Sequence, residues 1–469
     1  MICNLIRVAC ALAGLLTVAY PAYGQTLPAL AQSMPPGFSL LNQEGDGSGY
    51  SAALTASGTS SGGSLTFASK AAYDPVRRRI FHYAAGHPAG SPLKFLVYEV
   101  DFNRWTQLAA PAFEPAYASF QGHVYQLQTI AGGKFIRGWA NSYRVTACNV
   151  DTPNIADISG PNCPGDYPHI LTNPPPSSIS RGFLEYFPDR DALYWMDTSG
   201  STRLYTKTLA ASAWNIHTLV PGLWGDGIAA TYNPVHHALI FGGGGNGQGT
   251  FYRKMWKLDA AGTLSALDDS PIDIYATGST LFFADPATGR NIVVRPNADK
   301  TAYLMYEHDP GAAPGTQWTR RQDLESGIPQ FHTAQFPNVV TSTLVVPLPE
   351  YGVTLFMGYN KVWIYKHLAT VPPPDNTPPV ITNPAAVWPT TATVTWTTNE
   401  PTTGRLEWGL DVLYGFTPIQ SAPLKTAHSV TLTGLTPDTL YHLRIVATDA
   451  AGNATTSTGY TVRSGGGLQ

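Results

Sequence analysis

The sequence predicts an all-β protein: a β-propeller of six or seven four-stranded blades, followed by an immunoglobulin-like β-sandwich. Three observations predict it. First, the 469-residue chain carries 45 Gly and 39 Pro, together about 18% against a usual ~12%. Second, only 13% of residues are charged while 11% are aromatic, which suits short strands joined by turns and not a helical bundle, a coiled coil or a disordered tail. Third, a turn-then-apolar-strand phrase recurs through residues 36–370, ahead of a proline-rich break and a stretch of period-two alternation. The net charge of −3 leaves no electrostatic footprint for a nucleic-acid backbone.

Residues 1–24 read as a secretory signal. Arg7 supplies the charged start, Val8 to Ala19 is a short apolar stretch, and Ala22-Tyr23-Gly24 is a small-x-small cleavage site before Gln25. The apolar run is shorter than the ~20 residues a membrane span needs, and no later stretch is long and apolar enough to serve as one. The expected location is therefore extracellular or periplasmic. Of four cysteines, Cys3 and Cys10 lie in the signal, leaving Cys148 and Cys163 around the Pro/Asn/Asp-rich loop Asn149 to Asn162. A disulfide there would close a loop of about 15 residues and contribute ~3 kcal/mol in an oxidising compartment. The alternative is a pair of inert thiols.

Residues 25–370 carry the repeat. Its full copies are Tyr73-Asp74-Pro75 before Ile80-Phe81, Phe187-Pro188-Asp189 before Leu193-Tyr194, Tyr232-Asn233-Pro234 before Leu239-Ile240-Phe241, and Ala284-Asp285-Pro286 before Ile292-Val293. Weaker copies are Ile130 to Phe135 and Leu348 to Leu355. Asp-Pro or Asn-Pro starts a turn, and the apolar run after it reads as a fully buried strand. Trp105, Trp214 and Trp318 follow Pro75, Pro188 and Pro286 by about 26 to 32 residues; a late tryptophan in a period of roughly 45–60 is the spacing of a four-stranded blade. Length alone allows close to seven blades of ~48 residues, whereas six phrases can be counted. A seventh would be assembled from residues 36–65, with Lys361-Val362-Trp363-Ile364-Tyr365 closing the ring.

These residues resemble kelch-type propellers. Ala85-Gly86 stands where that family has a Gly-Gly doublet, Tyr98 lies seven positions before Trp105, and Gly242-Gly243 restores the doublet in the fourth blade, where no tryptophan follows in register. The resemblance covers about 70% of the chain and implies a fold; kelch repeats serve binding proteins and enzymes alike.

Val371 to Pro379 is a stiff polyproline-type linker. Beyond it, Ala392-Thr393-Val394-Thr395-Trp396-Thr397, Ser429-Val430-Thr431-Leu432 and Tyr441 to Ala447 alternate with period two, the pattern of a sandwich over 380–465. Trp396, and the stretch Leu435-Thr436-Pro437-Asp438-Thr439-Leu440-Tyr441, resemble the core tryptophan and the E–F corner of fibronectin type III modules. That resemblance spans roughly 377–465 and implies a partner-facing role and no chemistry.

A site in the propeller requires polar residues from different blades to meet at one mouth. His123 in Gln121-Gly122-His123, Arg181 opening Arg181-Gly182-Phe183, Asp226 in Gly225-Asp226-Gly227 and His332 before Thr333-Ala334 each stand where an innermost strand begins. His87 follows the second strand of the first blade. Imidazoles suit proton transfer at neutral pH, and arginine neutralises a carboxylate bidentately. Those are the functions of β-elimination on a uronate: His123, Arg181 and His332 as catalytic groups, His87 and Asp226 as substrate-binding groups. The chain looks compatible with propeller-fold lyases of acidic glycans, although no local motif of theirs is matched. The rival reading is a non-catalytic carbohydrate- or protein-binding or adhesion protein in which these side chains are structural. The expected partner is an extracellular polysaccharide or a cell-surface ligand. His236-His237 reads as a solvated turn, His82 as packing, and Gly242 to Gly247 as a hairpin and not a phosphate loop, having no Lys-Ser/Thr after it. No strand–turn–helix context for a Gly-x-Ser-x-Gly elbow is legible, no repeated Asp-box is present, and the two remaining cysteines, read as paired, leave none for a copper-radical cross-link. No loop spells a metal-ligand set, and the sequence names no cofactor.

Overall fold

The computed structural model describes residues 25–43, 45–50, 53, 65, 68–84, 94–109, 111, 126–139, 145–152, 154–158, 163, 165–166, 182–197, 202–211, 213–223, 225–245, 250–276, 280–331, 343–358, 361–367, 377–387, 392–449 and 453–464. Six four-stranded antiparallel sheets and one six-stranded sheet account for its strands.

The turn phrase builds each blade as its chemistry dictates. Asp74 Oδ1 accepts the backbone N–H groups of Val76 and Arg77 (3.0 and 3.3 Å), and Asn233 Oδ1 does the same for Val235 and His236 (both 3.2 Å). Asp285 Oδ2 accepts from the Thr288 N–H at 2.8 Å. Each of these carboxamide or carboxylate groups thus closes its own turn. A residue with positive φ ends the turn before the second strand: Arg78 (52°), Gly133 (68°), Asp191 (44°), His237 (46°), Gly289 (69°) and Gly352 (59°). The strands that follow are the buried ones: Arg79–Ala84, Ala238–Gly245 and Val353–Met357 are buried at every position.

Blade 1 comprises Ala72–Asp74, Arg79–Ala84, Lys94–Glu99 and Arg104–Leu108; blade 2, Gln128–Ala131, Lys134–Gly138, Val145–Asn149 and Gly165–Asp166; blade 3, Leu184–Phe187, Ala192–Asp197, Arg203–Thr208 and Asn215–Leu219. Blade 4 comprises Asp226–Asn233, Ala238–Gly245, Met255–Asp259 and Leu264–Leu267; blade 5, Leu281–Ala284, Asn291–Pro296, Tyr303–His308 and Trp318–Arg320. Blade 6 takes Leu344–Leu348, Val353–Met357 and Lys361–Lys366 from the end of the propeller and its outer strand, Gly37–Gln43, from the beginning. The propeller therefore has six blades. Among the described residues no seventh forms, because Gly37–Gln43 is spent closing the sixth.

The ring closes at its hub as well. Each innermost strand lies against the next, and Leu344–Leu348 lies against Ala72–Asp74; Lys70 bridges Val345, and Gln126 bridges Phe183, in parallel register. A single blade cannot bury both faces, so apolar side chains fill the seams. Phe81, Phe95, Phe135 and Trp139 pack between blades 1 and 2, and Phe183, Tyr194 and Phe241 between blades 3 and 4. Phe331 stacks on Phe356 at 5.4 Å and 8° in the cluster that joins blades 5 and 6. The late tryptophans serve the outer strands. Tyr98 stacks on Trp105 (4.6 Å, 27°), whose indole N–H donates to Asn42 Oδ1 at 3.1 Å, tying blade 1 to the closing strand. At Gly242 a Cβ would fall 2.2 Å from the Lys254 carbonyl oxygen, so the adjacent backbone comes closer there than any side chain permits.

Ahead of the closing strand, the short helix Leu27–Ser33 buries Leu27 and Ala31. Lys366 Nζ donates to the carbonyls of Ala31 (2.8 Å) and Met34 (3.3 Å). Cys148 and Cys163 form a disulfide across 15 positions, as expected from the sequence, and are not inert thiols.

The sandwich is built from Ile381–Val387, Ala392–Gly409, Ile419–Leu432, Leu440–Asp449, Ala454–Thr456 and Tyr460–Arg463. Trp396 is fully buried and stacks on His428 at 4.9 Å and 4°. At the corner, the Tyr441 hydroxyl accepts the Thr436 N–H at 2.9 Å. Ile419–Leu432 passes close to the Pro188–Arg190 turn of blade 3. No helix among the described residues is long and apolar enough to cross a membrane.

Candidate functional site

Within each blade the second strand runs antiparallel to the innermost one, so the innermost strands begin, and the second strands end, at the same rim. At that rim the axis is polar. Lys70, just ahead of the first innermost strand, pairs its ammonium with the carboxylate of Glu185 in the innermost strand of blade 3. Blade 2 lies between those two blades, so this ion pair reaches past a whole blade at the hub. Gln126 Oε1 accepts the Ala230 N–H at 2.8 Å, linking blade 2 to blade 4 past blade 3. Gln128 donates from Nε2 to the Lys70 carbonyl and meets His82 Nδ1 at 2.9 Å, while its Oε1 accepts the Tyr83 N–H at 3.3 Å. Such contacts exist only because the ring is closed: Lys70 and Glu185 are 115 positions apart in the chain.

Positive charge is concentrated on this side of blades 1 and 2. Arg137 is fully buried. It donates from Nε to the Tyr83 carbonyl at 2.8 Å, with its guanidinium 3.8 Å from the Trp139 ring centroid, an arrangement that compensates desolvation by cation–π attraction. Lys94 opens the third strand of blade 1 opposite Ala84. It is 1% exposed, its Nζ has no hydrogen-bond partner among the described residues, and burial lowers its pKa. At this rim the counter-charge among the described buried side chains is Glu185. Burial raises its pKa and the Lys70 ammonium opposes that rise. The buried Lys94 and Arg137, with the half-buried Lys70, against the buried Glu185 carboxylate make a region that favours an incoming anion, since an uncompensated buried charge is costly and an opposite charge relieves the cost.

Of the residues that sequence pattern nominated, Asp226 is placed in its backbone: it opens the innermost strand of blade 4 and pairs with Gly245. His87, His123, Arg181 and His332 lie outside the described residues, as does the Ala85-Gly86 doublet. The described residues nearest to them in the chain are Ala84, Gln126, Gly182 and Phe331. His82, read as packing, is 1% exposed and engaged by Gln128. His237 accepts its place in the turn with Nδ1 at 2.8 Å from Asp189 Oδ1. Among the described residues no group of three or more His, Cys, Asp or Glu is placed to hold a metal ion. Sequence reasoning missed Lys70, Lys94, Arg137 and Glu185. The available signal was a charge embedded in an otherwise apolar buried run, as in Phe135-Ile136-Arg137 and Lys94-Phe95-Leu96-Val97.

Comparison with known proteins bears on the C-terminal part. Residues 378–463 match the family model of the fibronectin type III domain. No curated protein matches the chain. Among solved structures, a chain of a mitotic checkpoint complex is similar at 10% identity and a TM-score of 0.39, covering 64% of this chain and 90% of that one. A chain of a nidogen/laminin complex is similar at 11% identity and a TM-score of 0.33, covering 55% and 81%. Likeness at that level carries no argument about either fold or partner. The architecture rests on the sheets themselves and on the family match: a six-bladed β-propeller followed by a fibronectin type III domain.

Proposed function

We propose that this protein is exported by removal of residues 1–24, and that the rim of its kelch-type propeller binds an acidic extracellular polysaccharide. In this reading 25–370 is the propeller, 371–379 a spacer and 380–465 a partner-facing accessory. The observation that carries it is the charge balance at the hub, where the buried Lys94 and Arg137 and the half-buried Lys70 outnumber Glu185 among the described side chains. A polyanion whose carboxylates reach that rim is attracted by it, and a neutral glycan is not. The disulfide and the fibronectin type III domain are compatible with an extracellular protein.

The most specific form of the proposal is cleavage by β-elimination. Arg181 would neutralise the uronate carboxylate and so acidify the C5–H bond. One of His123 and His332 would take that proton, and the other would protonate the departing C4 oxygen as the C4–C5 double bond forms. His87 and Asp226 would hold neighbouring hydroxyls. Support is topological: Asp226 opens an innermost strand, and the described strands that flank His87, His123, Arg181 and His332 in the sequence end or begin at that same rim. A propeller with a fibronectin type III domain is equally consistent with binding or adhesion without chemistry, and one experiment separates the two. The mature chain is incubated with a panel of uronate glycans while retention on the same glycans is measured. Ultraviolet absorbance from an unsaturated uronate, lost in Arg181→Ala and His123→Ala, supports elimination. Retention without absorbance leaves the binding form alone. Neither retention nor absorbance with any acidic glycan overturns the proposal.

A further inference from the structure

The export reading places the mature amino terminus at Gln25, and the structure shows how that residue is held. Its carbonyl oxygen accepts Asn103 Nδ2 at 3.2 Å, and Asn103 belongs to the buried group that joins Asn42 (2.9 Å) and Tyr98 (2.9 Å). Two residues further, Leu27 is fully buried, followed by Ala31 and Met34, whose carbonyls Lys366 grips. The chain is anchored from Gln25 inward, while the side chain of Gln25 is exposed and, among the described residues, donates one hydrogen bond, from Nε2 to Ser33 Oγ at 3.1 Å.

We propose that Gln25 is a covalent modification site, at which the freed α-amine closes on its own side chain to give pyroglutamate. This inference rests on the export reading. The step balances without any co-reactant. The α-nitrogen attacks Cδ, the N–Cδ bond forms, the Cδ–Nε2 bond breaks, and Nε2 leaves as ammonia with the proton surrendered by the amine. An α-amine of ordinary pKa, about 7.7–8.0, has enough free base at neutral pH to react. The fold tolerates the product because its anchor is the Gln25 carbonyl, which the ring leaves intact. Only the exposed Nε2–Ser33 bond is lost, and Ser33 Oγ still donates to the Ala29 carbonyl at 2.9 Å. The consequence is protective. The segment from Gln25 leads directly into Gly37–Gln43, the strand that completes blade 6, and an end without a free amine cannot be trimmed toward it by aminopeptidases.

The test expresses the full 469-residue sequence in a bacterium that exports it, recovers the chain from periplasm or medium, and cleaves after Glu44. The expected amino-terminal peptide is residues 25–44, about 17 Da lighter than its sequence through loss of ammonia. It should resist aminopeptidase until a pyroglutamyl peptidase is added. A Gln25→Ala chain should begin at the same position, show no mass loss, melt at the same temperature and be trimmed. A free, uncyclised Gln25 that persists through incubation at neutral pH overturns the modification and leaves export standing. A retained leader, or a different first residue, overturns the cleavage position and the modification with it.

Discussion

Replacing Lys70 by Met asks directly whether the hub is a closed, desolvated polar site. The side chains of Lys70 and Glu185 are 18% and 3% exposed, so the methionine fills much of the lysine's volume but leaves a carboxylate without its counter-charge. Removing one partner of a buried pair costs ~3–5 kcal/mol; the partial exposure of Lys70 argues for the lower end, ~3 kcal/mol, and at roughly 2 °C per kcal/mol for a large domain the melting temperature should fall by ~6 °C. Burial already raises the pKa of Glu185, against the pull of Lys70, and without the lysine it rises further. Between the ordinary carboxyl value near ~4.3 and that raised value, the folded chain holds a proton the unfolded chain has released. Stability in the variant therefore falls as pH rises through that window and recovers as pH falls. Thermal denaturation of wild type, Lys70→Met and Lys70→Met/Glu185→Gln across mildly acidic to mildly alkaline pH reads all of this. The single variant should be weakest at alkaline pH and approach wild type in acid, and the double variant should regain most of the loss, as neutral replacements of buried pairs commonly do. A single variant within ~0.5 kcal/mol of wild type at neutral pH, the scale of an ordinary surface change, would refute the cross-hub pair, as would a defect that does not shrink on acidification.

Three further outcomes follow from the same structure. Burial raises the Glu350 pKa to about 7, a penalty absent below the usual carboxyl range and complete above that value; Glu350→Gln should stabilise the chain by ~1–3 kcal/mol at pH 8 and by nothing at pH 4, measured by urea titration at both. His308, fully buried beside Trp318, has its pKa lowered to about 4 by burial. The unfolded chain therefore binds a proton first as pH falls below ~6.5, and stability should drop by up to ~3 kcal/mol before pH 4, a slope that His308→Gln should lack. Removing the disulfide as Cys148→Ser/Cys163→Ser should cost ~3 kcal/mol by releasing a loop of about 15 residues in the unfolded chain, read as a matching fall in urea midpoint with the fibronectin type III transition unmoved.

Most of the fold was legible because its signals are local. Asp74, Asn233 and Asp285 cap turns with their own side chains, the strands after them are apolar throughout, and Trp105, Trp214 and Trp318 stand at or just before outer strands. Trp396 and the Tyr441 corner are equally local in sequence. The blade count was not fixed by length, because successive described strands can stand far apart in the chain, as those ending at Leu108 and starting at Gln128, or ending at Arg320 and starting at Leu344, do, so division by a mean repeat allowed seven. The hub was illegible for a different reason. Lys70, Glu185, Gln126 and Ala230 are neighbours only through closure of the ring, and no spacing in the chain encodes that. The embedded charges of Lys94 and Arg137 mark a buried polar region but not its counterparts.

The proposed function depends on ring closure gathering dispersed polar groups into an anion-accepting mouth. A crystal structure of the mature chain soaked with a uronate oligosaccharide tests it most directly. Density is expected at the rim where the innermost strands begin, with a sugar carboxylate in hydrogen-bond reach of Arg181 or Lys70 and the ring between His123 and His332. Sugar bound on the fibronectin type III domain or on the outer strands, with the rim empty, would contradict it.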